Sequence, residues 1–167
     1  MFIIGIDPGF NGAIAILSTK SELYSVVDIP ILKNGKKKEI DISEVVDIFS
    51  TYSKKHIFIE DVHAMPGQGV TSMFTFALNY GLLLGAIKAL KIPFTKVIPQ
   101  RWKKSTMDGM PKEKGSSVIR VKQIYPGWQT IRKNDDGRAD AILIGVYGLS
   151  TLHGLTRHKE LTNSDIT

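Results

Sequence analysis

Phe2-Ile3-Ile4-Gly5-Ile6-Asp7, followed by Pro8-Gly9-Phe10-Asn11-Gly12 and then Ala13-Ile14-Ala15-Ile16-Leu17, is the stretch on which the fold turns. Its first six residues read as a buried strand that ends on an acid. The next five are dense in the residues that turns require. The last five return as a second apolar strand, so the whole reads as a β-hairpin. Leu23 to Ile29 extends the hairpin into an antiparallel meander.

Working outward, Leu32 to Glu39 reads as a Lys/Gly loop. Asp41 to Tyr52 reads as a helix, because Ile42, Val45, Val46 and Phe49 recur at i, i+3, i+4 and i+7, with Asp41 or Ser43 as cap. His56 to Asp61 is a fourth strand, again ending on acids, and Val62 to Val70 is a Gly/Pro loop. Thr71 to Lys91 reads as a long apolar helix with Thr71 or Ser72 near its cap. Pro93 to Ile98 is a fifth strand, Gln100 to Lys104 a helical turn, and Ser105 to Gly115 an irregular basic stretch. Ser116 to Ile124 is a basic helix that stops before Pro126, and Asp136 to Leu152 is the last helix. A meander followed by βαβ-like units makes an α/β domain: a mixed five-stranded sheet, antiparallel then parallel, with helices on both faces. Residues 1–154 form one domain, and 155–167 a polar tail.

Composition narrows the classes. The 167 residues suit one domain, and 43% hydrophobic content suffices for a core. The absence of cysteine excludes disulfides and thiolate metal sites, and it suits a reducing compartment, here the cytoplasm. Met1-Phe2-Ile3-Ile4 lacks the features of a signal peptide. Residues 62–87 carry no Lys, Arg, Asp or Glu, but Pro66, Gly67, Gln68 and Gly69 break the first part and Asn79 and Tyr80 interrupt the second. The apolar run Leu82 to Ile87 falls far short of the ~20 residues of a membrane span, so a buried core helix and no membrane are expected.

The net charge is +6, and it is concentrated: residues 99–125 hold seven basic residues (Arg101, Lys103, Lys104, Lys112, Lys114, Arg120 and Lys122) against Asp108 and Glu113. Lys33, Lys36, Lys37 and Lys38 form a second cluster. Such concentration is the footprint of a polyanion binder, although a solvated basic surface has the same composition.

Three elements end on or carry acids. Asp7 closes the first strand and Glu60 the fourth; if these strands are neighbours, the carboxylates lie side by side at one sheet edge. Asp140 is on the last helix, with Asp136 one turn earlier on the same face. Clustered carboxylates repel unless a cation sits among them, and hard oxygen ligands favour Mg²⁺ or Mn²⁺. Two such ions roughly 3.5–4 Å apart are the apparatus of phosphodiester hydrolysis. Each acid also has a plainer reading. Asp7 is a turn residue before Pro-Gly, Glu60 a strand-end surface acid, Asp136 a cap, and Asp140 a partner for Arg138 or Lys133. His63, three residues after Glu60, reads either as a substrate contact or as an inert loop histidine. No Ser-His-Asp set and no dinucleotide glycine fingerprint is found, so no nucleotide cofactor is expected.

Together, Ile4-Gly5-Ile6-Asp7-Pro8-Gly9, Ile57-Phe58-Ile59-Glu60, Arg138-Ala139-Asp140-Ala141-Ile142-Leu143-Ile144 and the loop Met65-Pro66-Gly67-Gln68-Gly69-Val70-Thr71-Ser72-Met73 resemble the RuvC family of Holliday junction resolvases, particularly its phage-borne members. The resemblance runs from about Met1 to His153. It implies an RNase H-like fold, a homodimer, divalent metal and paired cuts in branched DNA, leaving 5′-phosphate and 3′-hydroxyl ends. A phage origin would put the protein in the cytoplasm of a bacterial host. The family's acids carry over onto Asp7, Glu60 and Asp140. The fourth falls on Gly137, so Asp136 is its substitute, with Asp135 behind it. Lysines near the scissile phosphate carry over onto Lys103, with Lys104 beside it, and onto Lys114 or Lys112. The aromatic wedge of the cellular enzymes is replaced by His63, which points to a wider taste for forks, flaps and three-way junctions.

The long helix places Ala77, Gly81 and Gly85 four apart. Small residues at that spacing allow close helix approach, either to a second copy of the chain or to the helix's own sheet. Three other readings compete. An actin-like ATPase shares the Gly-x-Asp-x-Gly hairpin but needs a second half for which 167 residues leave no room. An RNase H-type nuclease of hybrid or structured RNA fits the composition. A DNA-binding protein without catalysis would be expected to have lost acids that are present here.

Overall fold

The computed structural model describes residues 1–35, 37–63, 67, 69–130 and 135–164, with side chains described as far as Gly154. One five-stranded sheet runs in the order β3-β2-β1-β6-β7. It is built from β1 (Phe2–Asp7), β2 (Ala13–Ser18), β3 (Leu23–Asp28), β6 (Lys55–Glu60) and β7 (Phe94–Val97). The β1–β2 and β2–β3 pairs are antiparallel, and β1–β6 and β6–β7 are parallel. This is the mixed sheet expected from the sequence. β1 lies at its centre, as its run of isoleucines requires: Ile3, Ile4 and Ile6 are all fully buried.

Side chains alternate between the two faces of the sheet. Ile3, Leu17, Phe58 and Val97 join a core closed by α3 (Pro99–Thr106), α4 (Ser116–Ile124) and α5 (Asp136–Ser164). Ile4, Ile6, Ile57 and Ile59 join a second core closed by α1 (Ile42–Ser50) and α2 (Val70–Ala89). Helices therefore cover both faces. α1 is capped by Asp41, whose carboxylate accepts from the Glu44 amide at 3.2 Å.

Three sequence expectations are corrected. The segment expected as a Lys/Gly loop is a β-hairpin, β4 (Ile31–Asn34) paired with β5 (Lys37–Ile40). Asn34-Gly35 is a hairpin turn signal, with Gly35 at φ 59°. It was masked because the strands beside it are polar. The long helix begins at Val70 with Gly69 as its N-cap, and no side chain caps it. That helix is also not a buried core helix. α2 is a continuous 20-residue helix, long and apolar enough to cross a membrane by length and composition. Leu83 and Ile87 are fully buried against the sheet and Asn79 nearly so, yet Val70, Phe74 and Leu78 are exposed. Gly81 and Gly85 have nothing within 4 Å of where a Cβ would stand, so the small-residue stripe does not pack on its own sheet. The helical turn expected at Gln100 to Lys104 extends to the eight residues of α3, and the last helix is assigned as far as Ser164. Residues 155–164 of the expected tail fall within that helix, beyond the described side chains, and residues 165–167 lie outside the described residues. Lys36, Lys133 and, in the loop motif, Met65, Pro66 and Gln68 lie outside the described residues.

α5 lies directly on β1 because both are glycine at the crossing. A Cβ on Gly5 would stand 2.1 Å from the Ala141 carbonyl oxygen and 2.5 Å from the Gly145 nitrogen. Both obstacles are backbone, which cannot turn aside. Gly5→Ala is therefore expected to lower unfolding stability by about 3 kcal/mol, the upper range of overpacking. Gly9→Ala, whose Cβ would meet only atoms at 4.0 Å, should change it by less than about 1 kcal/mol. Urea denaturation of the two variants measures the contrast.

Candidate active site

The alternation that sorts the core also orients the acids. Asp7 shares the parity of Ile3 and Gly5, and Glu60 that of Phe58, so both face the α3/α5 side of the sheet. β1 and β6 are parallel neighbours, which sets the two carboxylates at the same sheet edge. α5 crosses that face on its glycine contacts and brings Asp140 to the same place.

All three carboxyls are raised, first by burial and then by neighbouring acids. Burial, aided by the charges of Glu60 and Asp140 and opposed by the Gly9 amide and Lys103, pushes the Asp7 carboxyl up to about 7. Glu60 is raised by burial and by Asp140, against the Trp102 hydrogen bond and Lys103. Asp140 is raised by burial and by Asp136, against a Ser117 hydrogen bond and Lys103. One oxygen of Asp140, Oδ1, is buried without a hydrogen-bond partner. Lys103 is thus the cation common to all three. It is placed by its neighbour: Trp102 is fully buried, and its indole Nε1 donates to Glu60 Oε1 at 2.9 Å. Lys103 Nζ stands 5.1 Å from the Trp102 ring centroid. Pro99 opens α3, at a position where a helix needs no amide donor.

Among the described residues, no three Asp, Glu or His side chains stand close enough to form a ready-made metal cage. The chemistry of Asp7, Glu60 and Asp140 nevertheless suits a hard divalent cation: all donors are carboxylate oxygens, each carboxyl is raised, and one oxygen is buried and unpaired.

The place where the resemblance puts a fourth acid is sterically closed. A Cβ on Gly137 would lie 2.1 Å from the Asn11 carbonyl oxygen, so no side chain fits there. Asp136 stands one residue earlier, half-buried. Its Oδ1 accepts from the Gly115 amide at 2.9 Å, at the N-terminus of α4. Asp135 is buried and stands 3.9 Å from Arg138. Arg138 donates to Asp28 at 2.7 Å, which makes Asp28, not Asp140, its close partner.

The other sequence-selected residues surround this centre. Arg101, Lys104, Lys112, Lys114 and Lys122 are exposed on α3, α4 and the segment between them. Arg120 is tied down: it donates to the Thr106 carbonyl at 2.7 Å and to Gln123 at 3.1 Å, joining α4 to α3. His63 is exposed, 3.6 Å from Asp61, and lines a cavity of about 840 Å³ with Pro8, Phe10, Met73 and Phe76. Sequence reasoning missed Trp102, Ser117 and Asp61. Asp61 also accepts from Lys96 at 3.1 Å and so ties the end of β6 to β7. Only Trp102 left a signal, as a large apolar residue inside an otherwise basic run.

No family model and no curated protein matches the sequence. Among solved structures, the chain is similar to Thermus thermophilus RuvC in complex with a Holliday junction substrate (TM-score 0.67, 15% identity), covering 92% of this chain and 96% of that one. It is likewise similar to another Thermus thermophilus RuvC structure (TM-score 0.65, 14% identity), covering 92% and 97%. The fold is therefore RNase H-like, of the RuvC type.

The raised acids make stability depend on pH. A carboxyl whose folded pKa lies above its unfolded value binds more protons when folded. Its contribution is complete below the unfolded value and is lost as pH rises through the folded one. For Asp7 that window runs from 3.8 to about 7. Without divalent cations, stability is expected to fall between pH 5 and pH 8. Asp7→Asn should flatten the fall and stabilise the protein at pH 8 by on the order of 2–4 kcal/mol. Thermal melts across this range in EDTA test the expectation, and Mg²⁺ or Mn²⁺ should restore stability at pH 8 in the wild type only.

Proposed function

We propose that the protein is a structure-selective endonuclease that cuts branched DNA, Holliday junctions above all, by divalent-metal-dependent phosphodiester hydrolysis. The observation that carries this reading is the set of Asp7, Glu60 and Asp140 at one sheet edge, coupled to one another and to Lys103. The likeness of the fold to a RuvC bound to a Holliday junction supports branched DNA as the substrate.

Asp7, Glu60 and Asp140, with Asp136 beside them, would hold two Mg²⁺ or Mn²⁺ ions, which when bound supply an activated water and neutralise charge on the leaving oxygen. The protein's own part is positional. Trp102 holds Glu60 in one orientation. Lys103 offsets the carboxylates and faces the charge that develops on the phosphate. The exposed cations Arg101, Lys104, Lys112, Lys114 and Lys122 contact the backbone and set register without reading sequence. Catalysis of this kind belongs to recombination, repair or phage DNA processing in a bacterial cytoplasm.

Two cuts across a junction require two centres, and the exposed face of α2 supplies a surface for a homodimer. Val70, Phe74 and Leu78 flank the open stripe of Ala77, Gly81 and Gly85. Gly85→Arg should leave the monomer fold intact, because nothing lies within 4 Å, and should convert a dimer into a monomer in light scattering. Wild type that is already monomeric at micromolar concentration overturns the dimer.

Cleavage of labelled four-way junctions, forks, linear duplex and RNA–DNA hybrid is the decisive experiment. Branched DNA should be cut only with divalent metal. Glu60→Gln and Asp140→Asn should each lower the rate by at least ~10³-fold while binding persists, in line with losing a group that acts mainly in the transition state. Cutting of the hybrid alone would instead make the protein an RNase H.

A further inference from the structure

The β4–β5 hairpin takes no part in the site described so far. Its placement follows from the topology. β3 runs antiparallel to β2, so Asp28 pairs with Ala13 and Ala13 with Asp7. The chain therefore leaves β3 at the catalytic edge of the sheet. Ile29 donates its amide to the Gly12 carbonyl at 3.2 Å, within the turn that follows Asp7. The hairpin's other end is equally fixed. The Ile40 amide donates to Asn79 Oδ1 at 2.8 Å, and Ile29 and Ile40 are buried in the second core. Its base is thus anchored beside the acids, on the side of the sheet opposite α3 and α4. With four residues in each strand, it reaches ~13 Å outward.

Its charge is placed against its own stability. Lys33 and Lys38 are direct cross-strand partners, so their side chains leave the same face. Lys37 stands one pair nearer the turn on the other face. All three are exposed, and among the described residues none forms an ion pair. Like charges directly opposed across a two-stranded ribbon are destabilising, and such a ribbon is marginal on its own. A polyanion lying along the ribbon removes this repulsion.

We propose that the β4–β5 hairpin is a second DNA-binding arm, which grips the phosphate backbone of a duplex arm through Lys33 and Lys38, outside the catalytic centre. The acids then sit between two basic flanks, α3/α4 on one face of the sheet and the hairpin on the other. A duplex that continues beyond the scissile phosphate meets the hairpin, while a short one ends before reaching it. The inference rests on the reading of the protein as a branched-DNA nuclease.

The test compares wild type with Lys33→Ser/Lys38→Ser and with a charge-matched control, Lys20→Ser/Lys54→Ser. Lys20 and Lys54 are exposed near the opposite end of the sheet. Binding to junctions with long and with truncated arms is measured against salt, in Ca²⁺ to hold back cleavage. For long arms, the hairpin variant should bind on the order of tenfold more weakly, and its log K against log [salt] slope should be shallower by about 2, the loss of two phosphate contacts. Truncated arms should show no difference between wild type and variant, and the control should behave as wild type on both substrates. The variant should melt at or above the wild-type temperature, since its cross-strand repulsion is gone; a lower melting temperature would overturn the strain argument. An unchanged salt slope in the hairpin variant, or an equal loss in the control, overturns the second arm while leaving the nuclease intact. Wild type that binds no DNA overturns the nuclease reading itself.

Discussion

The close approach of α5 to β1 is the constraint on which the rest of the molecule depends. Helices normally ride on a sheet at the distance their side chains impose. Here Gly5 and Gly145 remove those side chains, and the helix backbone comes to rest on the strand. Asp140 is one residue before Ala141, whose carbonyl forms that contact. The interaction that fixes the helix therefore also fixes the height of the acid above Asp7. Gly148 continues the same crossing against the Phe58 ring, and Gly137 begins it against Asn11. Four glycines in two elements thus do the work of alignment, and the acids are carried on the frame they create.

That frame forces like charges together, and the surrounding residues limit the consequence without cancelling it. Lys103 opposes the rise of Asp7, Glu60 and Asp140 alike, while Trp102 and Ser117 each give one acid a hydrogen bond. All three carboxyls remain raised nonetheless. Asp140 Oδ1 in addition stays buried without a hydrogen-bond partner, the kind of group that a bound cation would satisfy.

Much of the sheet was legible in the sequence because β1, β2 and β6 are short, β-branched and bounded by turn residues or acids. Those acids also marked the site, since a charged residue that closes a buried strand is conspicuous. The β4–β5 hairpin was not legible: its strands carry Lys and Glu where hydrophobic alternation would announce them, and only Asn34-Gly35 gives a sign. Trp102 and Ser117 were invisible as site residues for a different reason. Their roles depend on which helix packs over Glu60 and Asp140, which is long-range information that no local pattern contains. The burial of α2 was misjudged because apolar content reports a preference for leaving water, not whether the cover comes from the same chain.

The two faces of the sheet consequently have different work. The α3–α4–α5 face is closed tightly by Trp102, Phe58 and the glycine crossing, and it carries the acids. The α1–α2 face is closed only on its inner side. α2 rests on the sheet through Leu83 and Ile87 while Phe74 and Leu78 remain in solvent, and the charged hairpin is tethered to it at Asn79. An exposed apolar stripe and an unneutralised lysine ribbon both cost a solitary domain stability and solubility. They lie on the same face, joined by the Ile40–Asn79 bond. The acids and the basic helices α3 and α4 thus share one side of the sheet, and the exposed apolar stripe and the lysine ribbon share the other.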